Sequence, residues 1–451
     1  MRGTCSVPII FFGDGAASRT EVHEGMNQAD VFDAPIVIRS RKQRLLTAKM
    51  LSSTSKSILR NVRSVLTAGS DTREALVAMV ADFGRREVAP GAAARDDGAP
   101  FPHDLWMRMA ALGFHGLAVP PEYGGVGADM PTVCAVARAF GRAGRDFGLG
   151  LSWLSSMYVA SVPLIELGTD EQIARTVPRL VAGQAIGSQA ITEPHAGSDV
   201  GAIRTRAVED ADGWVLSGSK IFITNAPIAD VFLVLAVTDP EAGRRGHTLF
   251  LVERDTPGLE VGAPMRKMGN HSSLTAEVFL DNVRLGPDAL LGTRGRGFYD
   301  FLGSASSERL VLTALTLGVL EACVETAVAY AREREQFGRP IADFQAMRVK
   351  IADMRIAISA ASALIATAAE RVAAGEDALL DIGAAKVFVS EAAVVQTLEA
   401  MQILGGYGYM REYELERLFR DLKLMTVGGG TNEIHRDMIA RMVLAERTGV
   451  A

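Results

Sequence analysis

The sequence predicts a mainly α-helical protein with a central β domain: an N-terminal helical domain, a middle β-barrel and a C-terminal four-helix bundle. Apolar residues recur at three- and four-residue spacing from about residue 72 to 187. The texture then changes, to about residue 283, into short runs rich in Val, Ile, Phe and Thr, punctuated by Gly, Pro, Asp and Asn. Helical periodicity returns and holds to the end. Boundaries are placed at 1–70, 71–187, 188–288 and 289–451.

The first stretch does not read as part of a fold. Between Arg39 and Ser70 there are eight Lys or Arg and no acid, and MLSSTSKSILRNVRSVL from Met50 is basic and Ser-rich. It reads as an unstructured tail, as translation assigned from a start codon too far upstream, or as an organellar targeting segment. The first two readings imply a cytoplasmic protein and the third a mitochondrial matrix one.

Helical signal begins with EALVAMVADFGRREVAP, which Pro90 is expected to stop. DLWMRMAALGF and MPTVCAVARAFGRAG repeat it on either side of the turn-rich PPEYGG. Their apolar stripes need partners, so these helices should pack on one another. GWVLSGSKIFITN, VFLVLAVT, HTLFLVER and AEVFLDNVRL read as the strands of a compact antiparallel domain. Four helical segments then follow in series. They are ERLVLTALTLGVLEACVETAVAYARERE, FQAMRVKIADMRIAISAASALIATAAERVAAG, AAKVFVSEAAVVQTLEAMQIL and NEIHRDMIARMVLAER, and they argue for an antiparallel bundle.

Composition removes several function classes. With 451 residues, 48% hydrophobic and 22% charged, the chain is ordinary globular material for two or three domains. A net charge of −6 gives no basic field to draw it to nucleic acid. No apolar run is expected to reach the roughly 18 to 20 residues of a membrane span. Cys5, Cys134 and Cys323 form no CxxC and suit inert packing in a reducing compartment. The seven histidines include no HxxxH or HExxH pair, so no metal site is expected. GxSxG is absent, and GGVGAD (124–129) and GTRGRG (292–297) lack the dinucleotide-fingerprint spacing.

Five local strings are more specific: ITEPHAGSD (191–199), GSKIFITNA (218–226), EREQFGRPIADFQ (333–345), QILGGYGY (402–409) and GGGTNEIHR (428–436). In this order they resemble the sequence blocks of the acyl-CoA dehydrogenase family, over residues 72 to 447. Taken singly, the first reads equally as a Gly-rich turn and the second as a buried strand. The resemblance implies an acyl-CoA dehydrogenase-like fold and an FAD cofactor. It also implies oxidation of the Cα–Cβ bond of an acyl thioester to the 2-enoyl thioester. That chemistry needs a hydride acceptor on one face of the substrate and a base at Cα on the other, the flavin supplying the former.

Residue by residue, the resemblance places Gln189, Ile191, Thr192, Gly197 and Ser198 at the flavin and its pyrophosphate, with Ser198 also touching the thioester. Phe222 stands where the family usually has Trp over the flavin ring, beside Ile223, and Thr224 would donate to flavin N5. Ala226 replaces a usual Gly, and His195 replaces Gly in the turn, where it reads as a solvated surface residue. Arg334, Phe337 and Gln345 resemble residues that one subunit presents to its neighbour's FAD, and Gln402, Leu404, Gly405 and Gly406 match the other half of that contact. Arg334 suits pyrophosphate oxygens as a charge-assisted donor, although by itself it reads as an exposed helix-end charge. Thr431 and Glu433 fall among the cofactor-binding positions too. A cofactor shared in this way implies a homo-oligomer, with the family suggesting a tetramer and an electron-transfer flavoprotein as acceptor.

The base can stand at one of two family positions. The commoner, in a YEGT string, reads Gly428-Gly429-Gly430-Thr431 here and offers no carboxylate. The other reads SSERLVL, similar to the isovaleryl-CoA and long-chain subgroups, and identifies Glu308 as the expected base. Glycine at 429 is expected to leave Glu308 room in the cleft, and burial to raise its pKa. A helix-start acid capped by Ser306 or Ser307 is the plainer account of Glu308. The Gly429 N–H and a ribityl hydroxyl are the implied donors to the thioester carbonyl. Gly428, Tyr299 and Arg309 match further substrate-facing positions. Within this reading the thioester is carried by CoA or by a carrier protein. A flavin monooxygenase on the same fold, usually without the glutamate, and a non-catalytic scaffold are the outside alternatives.

Overall fold

The computed structural model describes residues 71–446; the segment 1–70, with its tail, mis-start and targeting readings, lies outside the described residues. The N-terminal region is helical: α1 (Asp71–Phe83), α2 (Ala92–Asp96), α3 (His103–Ala111), α4 (Met130–Gly144), α5 (Phe147–Ser156), α6 (Val162–Leu167) and α7 (Asp170–Val181). Pro90 does not end the first segment. The chain leaves α-geometry at Phe83 and stays helical through a π turn and a 3-10 turn, where proline's fixed φ is tolerated at a turn start.

Side-chain caps set several helix starts. Asp129 and Asp146 accept from Thr132 N and Leu149 N to begin α4 and α5, and Thr169 and Gln172 form a reciprocal capping box on α7. A π turn over Met157–Ser161 joins α5 to α6.

The strands are β1 (Gly187–Ala190), β2 (Arg206–Asp210), β3 (Gly213–Thr224), β4 (Val231–Val237), β5 (His247–Glu253), β6 (Leu259–Val261), β7 (Thr275–Leu285) and β8 (Leu290–Leu291). They form one sheet in the order β6-β7-β3-β2-β4-β5-β8, with β1 beside β4. The expected antiparallel barrel is corrected on both counts. β6 and β8 end the path unpaired with each other, and β1 and β2 both run parallel to β4, β2 through a single pair at Arg206 and Val237. Alternating hydrophobicity reports which face is buried and is silent on closure.

The alternation along β4 shows where its two faces go. Phe232, Val234 and Ala236 pack with Trp214, Phe250 and Val278 inside the β domain. Val231, Leu233 and Leu235 face Ile173, Val177 and Leu180 of α7. A strand buried on both sides reads as a continuous apolar run, as VFLVLAV does.

The C-terminal bundle comprises α8 (Gly297–Glu333), α9 (Gln345–Ala373), α10 (Leu379–Leu404), a short α11 (Leu415–Leu422) and α12 (Asn432–Glu446). A hairpin of β9 (Glu335–Gln336) and β10 (Arg339–Pro340) joins α8 to α9. α8 touches α4 almost backbone to backbone. A Cβ on Gly318 would lie 2.0 Å from Arg138 O, and one on Gly141 2.5 Å from Leu315 O. Glu321 closes the same contact with both oxygens on Arg138.

By length and composition Phe147–Leu167, α8, α9 and Leu379–Tyr409 could each cross a membrane, which corrects the expectation that no apolar run is long enough. The first two are mostly buried inside the protein, which accounts for their apolar character. Cys134 and Cys323 are buried, and desolvation pushes both thiols up to about 12.

Candidate active site

The first two motifs fold side by side. Ile221 N donates to Thr192 O at 2.9 Å, Ser188 Oγ to Thr224 O at 2.6 Å and Lys220 Nζ to Ile191 O at 2.9 Å. Lys220 is fully buried and ends on Glu193, also buried, at 2.8 Å. Glu193 further accepts from the N–H groups of Arg204 and Thr205. These bonds hold Gln189 to Ser198 against Phe222 to Thr224. His195 lies exposed at the turn, its Nε2 3.5 Å from Glu193 Oε2.

Phe222 sits at a bulge in β3, with φ +60° and 64% exposure. That is a costly conformation for an aromatic residue, and it turns the ring out of the sheet. Among the described residues the hydroxyls of Thr192, Ser198 and Thr224 have no protein partner, and a Cβ on Gly197 would meet open space. An exposed flat ring, free hydroxyls and an accessible Gly backbone suit a large polar aromatic group such as FAD. Ile191 and Ile223 are buried in the domain core, so they can offer FAD only backbone groups.

The bundle motifs form a second cluster. Arg334 caps α8 and lies 5.9 Å from the Tyr407 ring. With Gly405 and Gly406 it lines a groove of about 520 Å³, and a Cβ on either glycine would meet nothing within 4 Å. Phe337, at the hairpin tip with φ +55°, is 93% exposed. Gln402 is exposed near the end of α10, whereas Leu404 is buried in the bundle core, so its side chain is withdrawn from this surface. Gln345 lines a different groove with Val349 and Val395.

Glu308 stands on the twelfth residue of α8, well inside it, so Ser306 and Ser307 are not helix caps. Ser306 Oγ instead bonds back to Leu302 O. The carboxylate is half-buried and turned toward α5, where Ser155 Oγ donates to Oε1 at 2.9 Å. Burial raises its pKa, with the Ser155 bond and the Arg309 charge acting against the rise.

A cleft of about 260 Å³ lies on the neighbouring face of α8, bordered by Ser198, Phe298, Ser306, Arg309, Gly430 and His435. Tyr299, half-buried, packs edge-on against Phe298.

The triple-glycine loop beside this cleft is held from three sides. Gly429 O accepts from Arg309 Nε at 2.7 Å and from His435 Nε2 at 3.1 Å, so that nitrogen carries the proton. Desolvation lowers His435 to about 4, which keeps it neutral. Lys386, fully buried on α10, reaches Gly430 O at 2.6 Å and Asn432 Oδ1 at 2.8 Å. Gly428 begins the loop half-buried. Thr431 Oγ accepts from Ile434 N at the start of α12, and Glu433 is exposed on its first turn.

The expected crowding at Gly429 is not the reason for glycine there. A Cβ would meet only Arg309 Cγ, at 3.4 Å, whereas the backbone φ of +66° does favour glycine.

Ser155, Lys386 and His435 escaped the sequence reading. Lys386 left a faint signal, a lone lysine in the apolar AAKVFV. Ser155 left none.

Three family models match the chain in succession: "Acyl-CoA dehydrogenase, N-terminal domain" over residues 70–184, "middle domain" over 188–283 and "C-terminal domain" over 295–444. A "Dehydrogenase E1 component" model matches residues 1–40, outside the described residues. An acyl-CoA dehydrogenase of Bacillus subtilis is 41% identical, over 81% of this chain and 96% of its own. A 3-(aryl)acrylate reductase of Clostridium sporogenes is 37% identical, over 83% and 99%. A mitochondrial isovaleryl-CoA dehydrogenase of Oryza sativa is 36% identical, over 83% and 92%.

Among solved structures, butyryl-CoA dehydrogenase from Megasphaera elsdenii superposes with a TM-score of 0.81 at 33% identity, covering 84% of this chain and 99% of that one. The prolyl acyl carrier protein oxidase AnaB gives 0.81 at 34%, covering 83% and 100%. The FAD complex of PigA gives 0.81 at 32%, covering 83% and 98%.

Proposed function

The chain belongs to the acyl-CoA dehydrogenase family and is an FAD-dependent oxidoreductase; from that premise we propose that it oxidises the Cα–Cβ bond of an acyl thioester, with Glu308 as the base. The observation that carries the reading is the Glu308 carboxylate, half-buried next to the cleft-lining Arg309 in sequence and held by one neutral donor from α5. FAD, when bound, supplies the two-electron acceptor for the hydrogen leaving Cβ.

Glu308 takes the Cα proton. A carboxylate with a raised pKa is a stronger base than a solvated one and matches that weakly acidic position better. The acyl carbonyl must be polarised at the same time. The Gly429 N–H has no partner among the described residues and is the donor assigned to it. Arg309 and His435 fix the Gly429 carbonyl, so the loop need not reorganise as charge develops on the substrate oxygen. Ser198, at the edge of the same cleft, is the polar contact between the cofactor loop and the thioester.

CoA is the proposed carrier. AnaB, a carrier-protein oxidase on the same fold, keeps a carrier-protein thioester as the second reading. An electron-transfer flavoprotein is the proposed acceptor, and Arg334 with the exposed Phe337 supports assembly of several copies around shared cofactors.

The test is the purified protein itself. It should be yellow with one FAD per chain and bleach anaerobically on addition of acyl-CoA from a chain-length panel. Bleaching only by carrier-protein thioesters moves the assignment to the second reading, and bleaching by neither overturns both.

A further inference from the structure

All ten residues of α5 are buried in an otherwise apolar helix, FGLGLSWLSS. A buried hydroxyl there costs stability unless it is bonded, and each serine in α5 is bonded to a different part of the protein. Ser152 Oγ meets Ser273 Oγ at 2.9 Å, and Ser156 Oγ accepts from Gly187 N at 2.9 Å, at the head of the strand that leads into the cofactor loop. Ser155 Oγ donates to Glu308 Oε1, 153 positions away in sequence. Asn225, next to Thr224, adds a bond from Nδ2 to Ser152 O. One rigid helix thus touches the cofactor-loop strand and the acid on adjacent residues.

We propose that Ser155 is a positioning residue for Glu308: its hydroxyl pins Oε1, leaving Oε2 for the substrate proton, and references the carboxylate to the strand that Ser156 holds. The proposal rests on the reading of Glu308 as the base. Two observations and the chemistry of a carboxylate support it. Helix α5 cannot drift, because its N-cap Asp146 is bonded to the buried Arg95 at 2.7 Å and to Ser272 at 2.5 Å. An ionised carboxylate only accepts hydrogen bonds, so the hydroxyl must donate, which favours the charged state and offsets burial.

The charged groups around this stretch of α8 leave that task to Ser155. Asp146 on α5 is committed to Arg95, Lys386 on α10 to the glycine loop, and His435 on α12 is neutral and bonded to Gly429. Arg309, on the same helix as Glu308, spends its Nε on Gly429 O.

The experiment compares Ser155→Ala, Ser155→Cys and Ser155→Thr with the parent holoenzyme by anaerobic stopped-flow flavin reduction from pH 5.5 to 9, with octanoyl-CoA or whichever acyl-CoA reduces the parent. Losing the donor should move the acid limb up by on the order of one pH unit and slow reduction about tenfold on the acid side. The rate should recover at high pH. Threonine, which keeps the hydroxyl, should return the limb to the parent position, and cysteine, a weak donor, should fall between.

Infrared difference titration of the same proteins against Glu308→Gln reads the Glu308 carboxyl without turnover and should shift in parallel. An unmoved acid limb and an unmoved carboxyl band in Ser155→Ala or Ser155→Cys, whatever the change in Tm, overturn the proposal. Glu308→Gln reducing its flavin at the parental rate would instead overturn the base assignment beneath it.

Discussion

Lys220 Nζ lies 2.8 Å from Glu193 Oε1, and neither side chain reaches solvent. The two residues belong to the two motifs that meet at the proposed cofactor loop, and Lys220 also holds Ile191 O. Desolvation lowers the lysine to about 8 while Glu193 opposes the shift, so its charge depends on its partner. Lys220→Met strands a buried carboxylate and should cost about 3–5 kcal/mol, lowering Tm and FAD retention together. Lys220→Met combined with Glu193→Gln should recover part of the loss. A single variant with parental Tm and full FAD content would show that the pair does not support the loop.

Glu308→Gln keeps the side chain's shape and removes its basicity. Thioester binding should persist while flavin reduction slows by about 10² to 10⁴-fold, the usual contribution of a positioned base. Stopped-flow reduction separates the two effects.

Moving the carboxylate tests the geometry. Glu308→Gly combined with Gly429→Glu should be more active than Glu308→Gly alone, because a Cβ at 429 meets only Arg309 Cγ, at an ordinary contact distance of 3.4 Å. Recovery should be partial, since φ +66° disfavours any L residue by about 1–2 kcal/mol. Equal rates in the two variants would mean that position 429 does not face the acyl Cα.

Arg334→Ala should lower FAD occupancy and oligomer mass together, as the groove it shares with Gly405 and Gly406 loses its cation. Absorbance and light scattering on one sample check this. An FAD-replete variant of unchanged mass contradicts the shared-cofactor reading.

His115 gives a pH signature. It stacks on Trp106 at 4.1 Å and donates or accepts at Trp106 O through Nε2; because that atom is a carbonyl oxygen, the ring donates. Burial lowers its pKa from 6.5 to about 4. Between those values the unfolded chain binds the extra proton, so the stabilisation is complete above pH 6.5 and is lost as pH falls toward 4, by ~3 kcal/mol at most. His115→Gln should therefore be less stable than the parent at pH 7.5, with the gap closing toward pH 4.5. Asp421, raised to about 7 by burial, acts in the opposite sense, and the variant-minus-parent difference removes it. A gap constant with pH would sink the assignment.

The order of the three regions, the long strands and the main helices were legible because periodicity reports buried faces. Closure of the sheet was not, since it depends on whether β6 and β8 meet, which no alternation encodes. The start of α8 was misplaced because GFYDFLGSASS is rich in Gly and Ser, and its helicity comes from the core it packs against. Glu308 stood out through its SSERLVL motif. Ser155 did not, because its bond to Glu308 exists only once α5 and α8 are brought together across 153 residues.

Glu308 and Arg334 are carried by one uninterrupted helix and its cap. At 1.5 Å per residue, 26 positions separate them by about 39 Å. Under the roles proposed, a single rod serves two different cofactors, one in its own chain and one in a neighbour. Its length and winding are then as much constrained as its end residues. One residue added between Val319 and Ala329 would swing Arg334 by about 100° and leave Glu308 where it is, disconnecting the neighbour's site without touching the local one.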